Sequence, residues 1–248
     1  MTSPVIAIAV EGLPEIAMDE SLGELIAAHA ELLDGDVVAV AQKVVSKAEG
    51  RRVALASVEP GARARELAAR LDKDPAIVEL ILAESRRIVR EERVLIVETH
   101  SGLICANAGI DSSNVGADGE VLLLPRDPDA SARRLRGAVQ AASGKRLAVV
   151  VTDSFGRPWR VGQSDVAIGC AGLSPLADWR GRADRDGRRL EATEIALADQ
   201  LAAAADLVRD KAAGIPVVVI RGLGERVTAD DGPGAAALQR AAAADLFR

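Results

Sequence analysis

Tyrosine is absent from this 248-residue chain and aromatic residues amount to 2%. That leaves almost no material for a platform on which nucleic-acid bases stack, and an RNA-recognition sheet is not expected. Histidine occurs twice, as His29 and His100, and His29 falls inside a predicted helix. A multi-histidine zinc site is therefore excluded, and a Ser-His-Asp triad would have one imidazole to draw on. The two cysteines, Cys105 and Cys170, lie among small apolar neighbours, which is the setting of reduced, buried thiols and not of a disulfide framework. No apolar run approaches the roughly 20 residues needed to span a bilayer, and no charged start leads into an apolar leader segment, so a cytoplasmic protein is expected. An excess of positive charge is also missing. A formal net charge of -6 argues against nonspecific binding to nucleic acid or anionic membrane, while local basic pockets can still hold phosphate.

What is present is an alternation of short apolar runs with alanine-rich helical segments, the pattern of an α/β, or mixed α+β, protein. Strands are predicted at Pro4 to Val10, Val37 to Ala41, Val94 to Val97, Val121 to Leu124, Leu147 to Val151 and Pro216 to Ile220. Helices are predicted at Ser21 to Leu33, Ala62 to Leu71, Ala76 to Val89, Ala130 to Ala142, Thr193 to Arg209 and Ala235 to Leu246. The chain reads as one unit over residues 1–248, with a weak division near Asp127. Glu98 to Gly119 and Ser154 to Arg189 are the long polar, glycine-bearing connections, where binding residues are expected.

Two phosphate-binding motifs fail on inspection. Ser143-Gly144-Lys145 is followed by Arg146 and lacks the upstream glycine of a Walker loop, and Gly222-Leu223-Gly224 lacks the third glycine of a dinucleotide fingerprint. Oxygen ligands remain. The run Leu147 to Val151 has no polar alternation, as in a strand covered on both faces, and it ends in Thr152, Asp153, Ser154, Gly156, Arg157 and Arg160. Ligands bind at such strand ends in open α/β sheets. Asn107 to Val115 supplies a second group of oxygens around Asp111, with Asn114 among them. Hard divalent cations favour this donor chemistry, although Asp, Ser and Asn in the same pattern also cap helices and form turns. Arg157 and Arg160 suit forked contact with phosphate or carboxylate, and Trp159 between them suits either ring contact or packing. Lys43 and Lys47, after the strand ending at Ala41, suit phosphate contact or a solvated helix edge.

Taken in order, Glu11 to Pro14, Asp34 to Val38, Gln42 to Gly50, Asn107 to Val115, Thr152 to Gln163 and Leu190 to Glu194 resemble the coenzyme F420:L-glutamate ligases. They are also similar to the amino-terminal ligase domain of actinobacterial fusions that add a nitroreductase-like domain, and no such second domain is expected here. The resemblance implies a GTP-dependent amide ligase with a family-specific fold and an intertwined homodimer. It implies transfer of phosphate from GTP to the terminal carboxylate of the coenzyme precursor, attack of the L-glutamate amine on the acyl phosphate, and γ-linked extension in later turnovers. Magnesium or manganese, as two ions, with potassium as a further activator, belong to the same implication.

Position by position, the resemblance assigns Asp111 and Asp153 as catalytic, metal-binding carboxylates and Ser154 as a hydroxyl of the second ion. It assigns Leu13, Pro14, Glu15, Ile16, Gln42, Lys43, Lys47 and Asn114 to the GTP site, with Arg209, Asp210 and Lys211 in a looser match. Lys211 stands where the family offers Glu or Gln to the second metal, and an ammonium does not coordinate a cation. Two alternatives from other classes stand beside the ligase: a noncatalytic subunit serving a nitroreductase-like partner, and a metal-dependent phosphohydrolase.

Overall fold

The β-branched runs Val37-Val38-Ala39-Val40 and Ala148-Val149-Val150-Val151 lie side by side as the parallel centre of a five-stranded sheet. The structure is a computed structural model that describes residues 4–111, 119–209 and 214–245. In chain order its elements are β1 (Ile6–Ala9), α1 (Leu22–His29), β2 (Val37–Ala41), α2 (Gln42–Ala48), β3 (Arg52–Ala54), α3 (Ala62–Leu71), α4 (Pro75–Ala83), β4 (Ser85–Glu92), β5 (Val94–Thr99) and β6 (Ile104–Ala106). There follow β7 (Glu120–Leu122), α5 (Pro128–Ser143), β8 (Ala148–Arg157), β9 (Arg160–Ala171), β10 (Leu176–Asp178), β11 (Glu194–Ala196), α6 (Leu197–Asp206) and β12 (Val217–Arg221). The strand order of the main sheet is β1-β12-β2-β8-β9, and every pairing except β2 with β8 is antiparallel, so the fold is mixed α+β.

Both faces of this sheet are covered, which is why its central strands carry apolar residues without alternation. Val38, Val40, Val149, Val151, Val217 and Val219 meet Ile26 of α1 and Ala132, Leu135 and Val139 of α5. Their neighbours Val37, Ala39, Ala148, Val150, Val218 and Ile220 meet Ala198, Leu201 and Ala205 of α6 on the other side. Each fully buried Val, Leu or Ile side chain contributes about 1.5–3 kcal/mol relative to exposure. A separate cluster joins Leu67 of α3, Val78 and Ile81 of α4, and Leu95 and Val97 of β5, which lies in the small sheet β4-β5-β6. Helix α5 starts where the chain dictates it: Asp127 accepts a hydrogen bond from the Ala130 amide at 2.9 Å, Pro128 occupies the first turn, and Gly144 closes the far end with φ of 68°.

Four expectations need correction. The helix predicted from Ala76 to Val89 ends at Ala83, because Ser85–Glu92 instead pairs with β5 and gains cross-strand ion pairs such as Arg87 with Glu98 at 2.6 Å. The helix predicted from Thr193 begins at Leu197, since Glu194–Ala196 pairs with β10. Ala235 to Asp245 holds only two short 3-10 turns, at Ala235–Leu238 and Ala242–Ala244, where a continuous helix was predicted. Most consequentially, the polar segment after Val151 is not a loop. Strand β8 continues to Arg157 and turns back through Pro158 and Trp159 into β9, with Arg157 opposite Arg160. Proline at the second turn position and φ of 64° at Trp159 match a type II turn, whose geometry ordinarily selects glycine at that third position.

Strand β9 can lie under α5 only because Gly169 lacks a side chain: a Cβ there would sit 2.2 Å from the Pro128 carbonyl oxygen. Gly169→Ala is expected to lower the unfolding free energy by about 1–3 kcal/mol through overpacking against backbone that cannot move aside. Guanidinium denaturation checks this, and an unchanged midpoint would contradict the close approach.

Candidate active site

The pleat of β8 governs the chemistry at its polar end. Consecutive side chains on a strand point to opposite faces, so Thr152 and Ser154 project with the α6 side and Asp153 with the α2 side. Short helix α2 follows β2 directly and buries Val44 and Val45 in the core. Lys43 and Lys47, four residues apart, share its other face. Lys43 Nζ lies 2.7 Å from Asp111 Oδ2, and Lys47 Nζ lies 2.5 Å from Glu15 Oε1. Asp111 is held by reciprocal backbone hydrogen bonds with Leu122 at 3.0 and 2.8 Å, after a turn in which Asn107, Ala108 and Gly109 all have positive φ.

Asp153 completes this group. Burial pushes its carboxyl up to about 7, the negative charges of Asp165 and Asp111 push the same way, and the Ser154 amide and Lys43 oppose the shift. The same burial, with the Asp153 charge, pushes the Cys105 thiol up to about 12, so Cys105 is an inert packing residue. Asp111, Asp153 and Lys43, read separately from two loops and a helix, therefore converge.

On the α6 face a second network forms. Ser154 Oγ donates to Asp165 Oδ1 at 2.6 Å, and Thr152 Oγ1 donates to Asp165 Oδ2 at 3.0 Å. Arg209 donates to Asp165 Oδ2 at 2.7 Å, to Thr152 Oγ1 at 2.6 Å and to the Ala39 carbonyl at 3.0 Å. Sequence reasoning missed Asp165. Its one signal is position, two residues before the apolar Ala167-Ile168 on a strand that was read as loop.

The other expected residues divide. Gln42 is buried, accepts a hydrogen bond from Ser46 Oγ at 2.9 Å, and keeps its Nε2 without a partner among the described residues. Ile16 and Leu13 pack into the main core, which places the Leu13-Pro14-Glu15-Ile16 segment against α2 through Glu15 and Lys47. Arg157 does not turn toward Asp153: it donates to the Val161 carbonyl of its own hairpin at 2.8 Å. Arg160 is exposed, and Trp159, expected to pack or contact a ring, is 85% exposed at the hairpin tip. Asn114, Asp210 and Lys211 lie outside the described residues.

The matching family model spans residues 11–222 and describes F420-0:gamma-glutamyl ligase. The chain belongs to this family. The motif resemblance is thereby confirmed over most of the sequence. Among its relatives, the coenzyme F420:L-glutamate ligase of Methanothermobacter thermautotrophicus is 46% identical over 97% of this chain and 98% of its own. The ligase of the same name from Halobacterium salinarum is 49% identical over 87% and 86%, and that of Methanopyrus kandleri 47% over 92% of each. Family members are ligases, so the chain is assigned as an enzyme of that class. Among the described residues no helix is long and apolar enough to cross a membrane.

The oxygen donors suit a hard cation. No cluster of three or more His, Cys, Asp or Glu side chains arranged to hold a metal is found among the described residues. Two carboxylates are nonetheless the complement magnesium commonly takes from protein, with water and substrate phosphates filling the rest. Asp153 is half-buried beside two like charges, and added positive charge there would favour its ionised form.

A folded-state value of about 7 against an ordinary 3.8 means that, in metal-free solution between about pH 4 and 7, folded Asp153 keeps a proton that the unfolded chain has lost. Stability contributed by this group is present below that window and declines as pH rises through it. Chemical denaturation in chelator at pH 5 and pH 7.5 should show this decline, reduced in Asp153→Asn. An identical pH dependence in the two proteins would contradict the burial of the charge.

Proposed function

We propose that the chain is a GTP-dependent ligase that joins the amine of L-glutamate to the terminal carboxylate of the coenzyme F420 precursor through an acyl phosphate. The observation that carries this reading is the convergence of Asp111, Asp153 and Lys43 at one end of the covered sheet. Glutamate and the coenzyme come from the names of the relatives, and GTP from the motif resemblance.

Asp111 and Asp153 would hold a magnesium or manganese ion on the α2 face, and Ser154 would offer its hydroxyl oxygen to a second ion on the α6 face. Such ions neutralise phosphate charge and polarise the phosphoryl group under attack. The chain's own residues do the rest. Lys43 and Lys47 now rest on carboxylates, and both would exchange those partners for phosphate oxygens. Glu15 is 75% exposed and gives Lys47 up at little cost. Gln42 Nε2, a buried donor without an acceptor among the described residues, would gain one from the nucleotide.

The carboxylate oxygen of the precursor forms a bond to the γ-phosphorus as the bond to the GDP oxygen breaks. The glutamate nitrogen then bonds the acyl carbon, inorganic phosphate departs, and the nitrogen sheds a proton. With potassium as activator and a homodimer as the working form, the same reading places the enzyme in the cytoplasm. Repetition would build a γ-linked tail, and a nitroreductase-like protein could use the product.

Mass spectrometry of the purified chain with GTP, manganese, L-glutamate and the unglutamylated coenzyme tests this directly. The product should be heavier by one or more glutamyl units, with equal GDP and phosphate release that depends on glutamate. Phosphate release without glutamate or coenzyme would favour a metal-dependent phosphohydrolase, and no turnover would favour a noncatalytic subunit.

A further inference from the structure

Asp165 stands directly across the β8–β9 ladder from Ser154 and is 5% exposed at its side chain, yet it lies outside every motif that carries the family resemblance. Its two oxygens accept from three donors: Ser154 at one, Thr152 and Arg209 at the other. A serine hydroxyl has a single proton. Donated to Asp165 at 2.6 Å, that proton fixes the rotor and turns the oxygen lone pairs away from Asp165. Were the rotor free, the same proton would spend part of its time facing a bound cation.

We propose that Asp165 is a positioning residue that locks the Ser154 hydroxyl with its oxygen presented to a divalent cation, while Arg209 holds Asp165 in place and balances its charge. The inference rests on the ligase reading of Ser154. Arg209, 7% exposed, also ties Asp165 to β2 through the Ala39 carbonyl, so the clamp is anchored to the central sheet and not to the mobile end of a side chain. Arg209, assigned from sequence to the nucleotide, is thereby turned inward to the carboxylate. With its oxygens already accepting three hydrogen bonds and its charge paired, Asp165 acts through Ser154 and not as a ligand in its own right.

Manganese binding to the intact chain, followed by the electron paramagnetic resonance signal of the free ion, tests this in wild type, Asp165→Asn, Ser154→Ala and the double variant. Asp165→Asn should weaken one class of manganese site by about ten- to a hundredfold, the effect typical of groups that orient a metal ligand. In the Ser154→Ala background the same change should add nothing. Should Asp165→Asn fail to fold because Arg209 is left unpaired, Asp165→Asn with Arg209→Gln removes both charges and is read in the same way. Unchanged manganese affinity in Asp165→Asn, or a full effect in the Ser154→Ala background, overturns the inference while the ligase reading stands. Absence of manganese binding in wild type overturns both.

Discussion

A carboxylate partly withdrawn from water where a covered strand leaves its sheet is the constraint on which the candidate site depends. Apolar side chains cover both faces of β8 through Val151, and the strand does not stop when its sequence turns polar. It carries Asp153 outward while still paired to β9, and the surrounding protein removes part of the solvent that would stabilise the charge. Among the charges of the described residues that act on Asp153, Lys43 offsets it and Asp165 and Asp111 stand on the other side. Carboxylates gathered this closely favour positive charge beside them.

Strand geometry then divides the labour. Because Asp153 and Ser154 are adjacent on a strand they face opposite sides, one toward Lys43 and Asp111, the other toward Asp165 and Arg209. Two neighbouring side chains thus face two different groups of partners. The hairpin that makes this possible is held under α5 by the bare backbone of Gly169 and anchored to α6 by Asp199, which accepts from the Ala167 amide at 3.0 Å.

Much of the sheet was legible in the sequence because uninterrupted β-branched runs have few other uses: Val37–Ala41 was read to the residue, and Leu147 to Val151 marked the covered start of a strand that runs on to Arg157. Asp111, Asp153 and Lys43 were singled out in the sequence because turn residues and strand ends carry local signals, and the structure brings them together. What escaped was set by distant partners. Thr152 to Arg157 has the composition of a loop and becomes strand only because β9 pairs with it, and β4 looks helical until β5 supplies its ladder. Asp165 and the inward turn of Arg209 follow from that unseen pairing, 44 residues apart in the chain. The contact of the Arg157 guanidinium with the Val161 carbonyl belongs to the same hairpin, which the sequence did not reveal.

Calorimetric titration of manganese at pH 6, repeated in buffers of different ionisation enthalpy, counts the protons released as the ion binds. With the Asp153 carboxyl pushed up to about 7, the metal-free group is largely protonated at that pH, and binding should expel about one proton per chain. Manganese binding with no proton release would contradict Asp153 as the ligand around which the site is built.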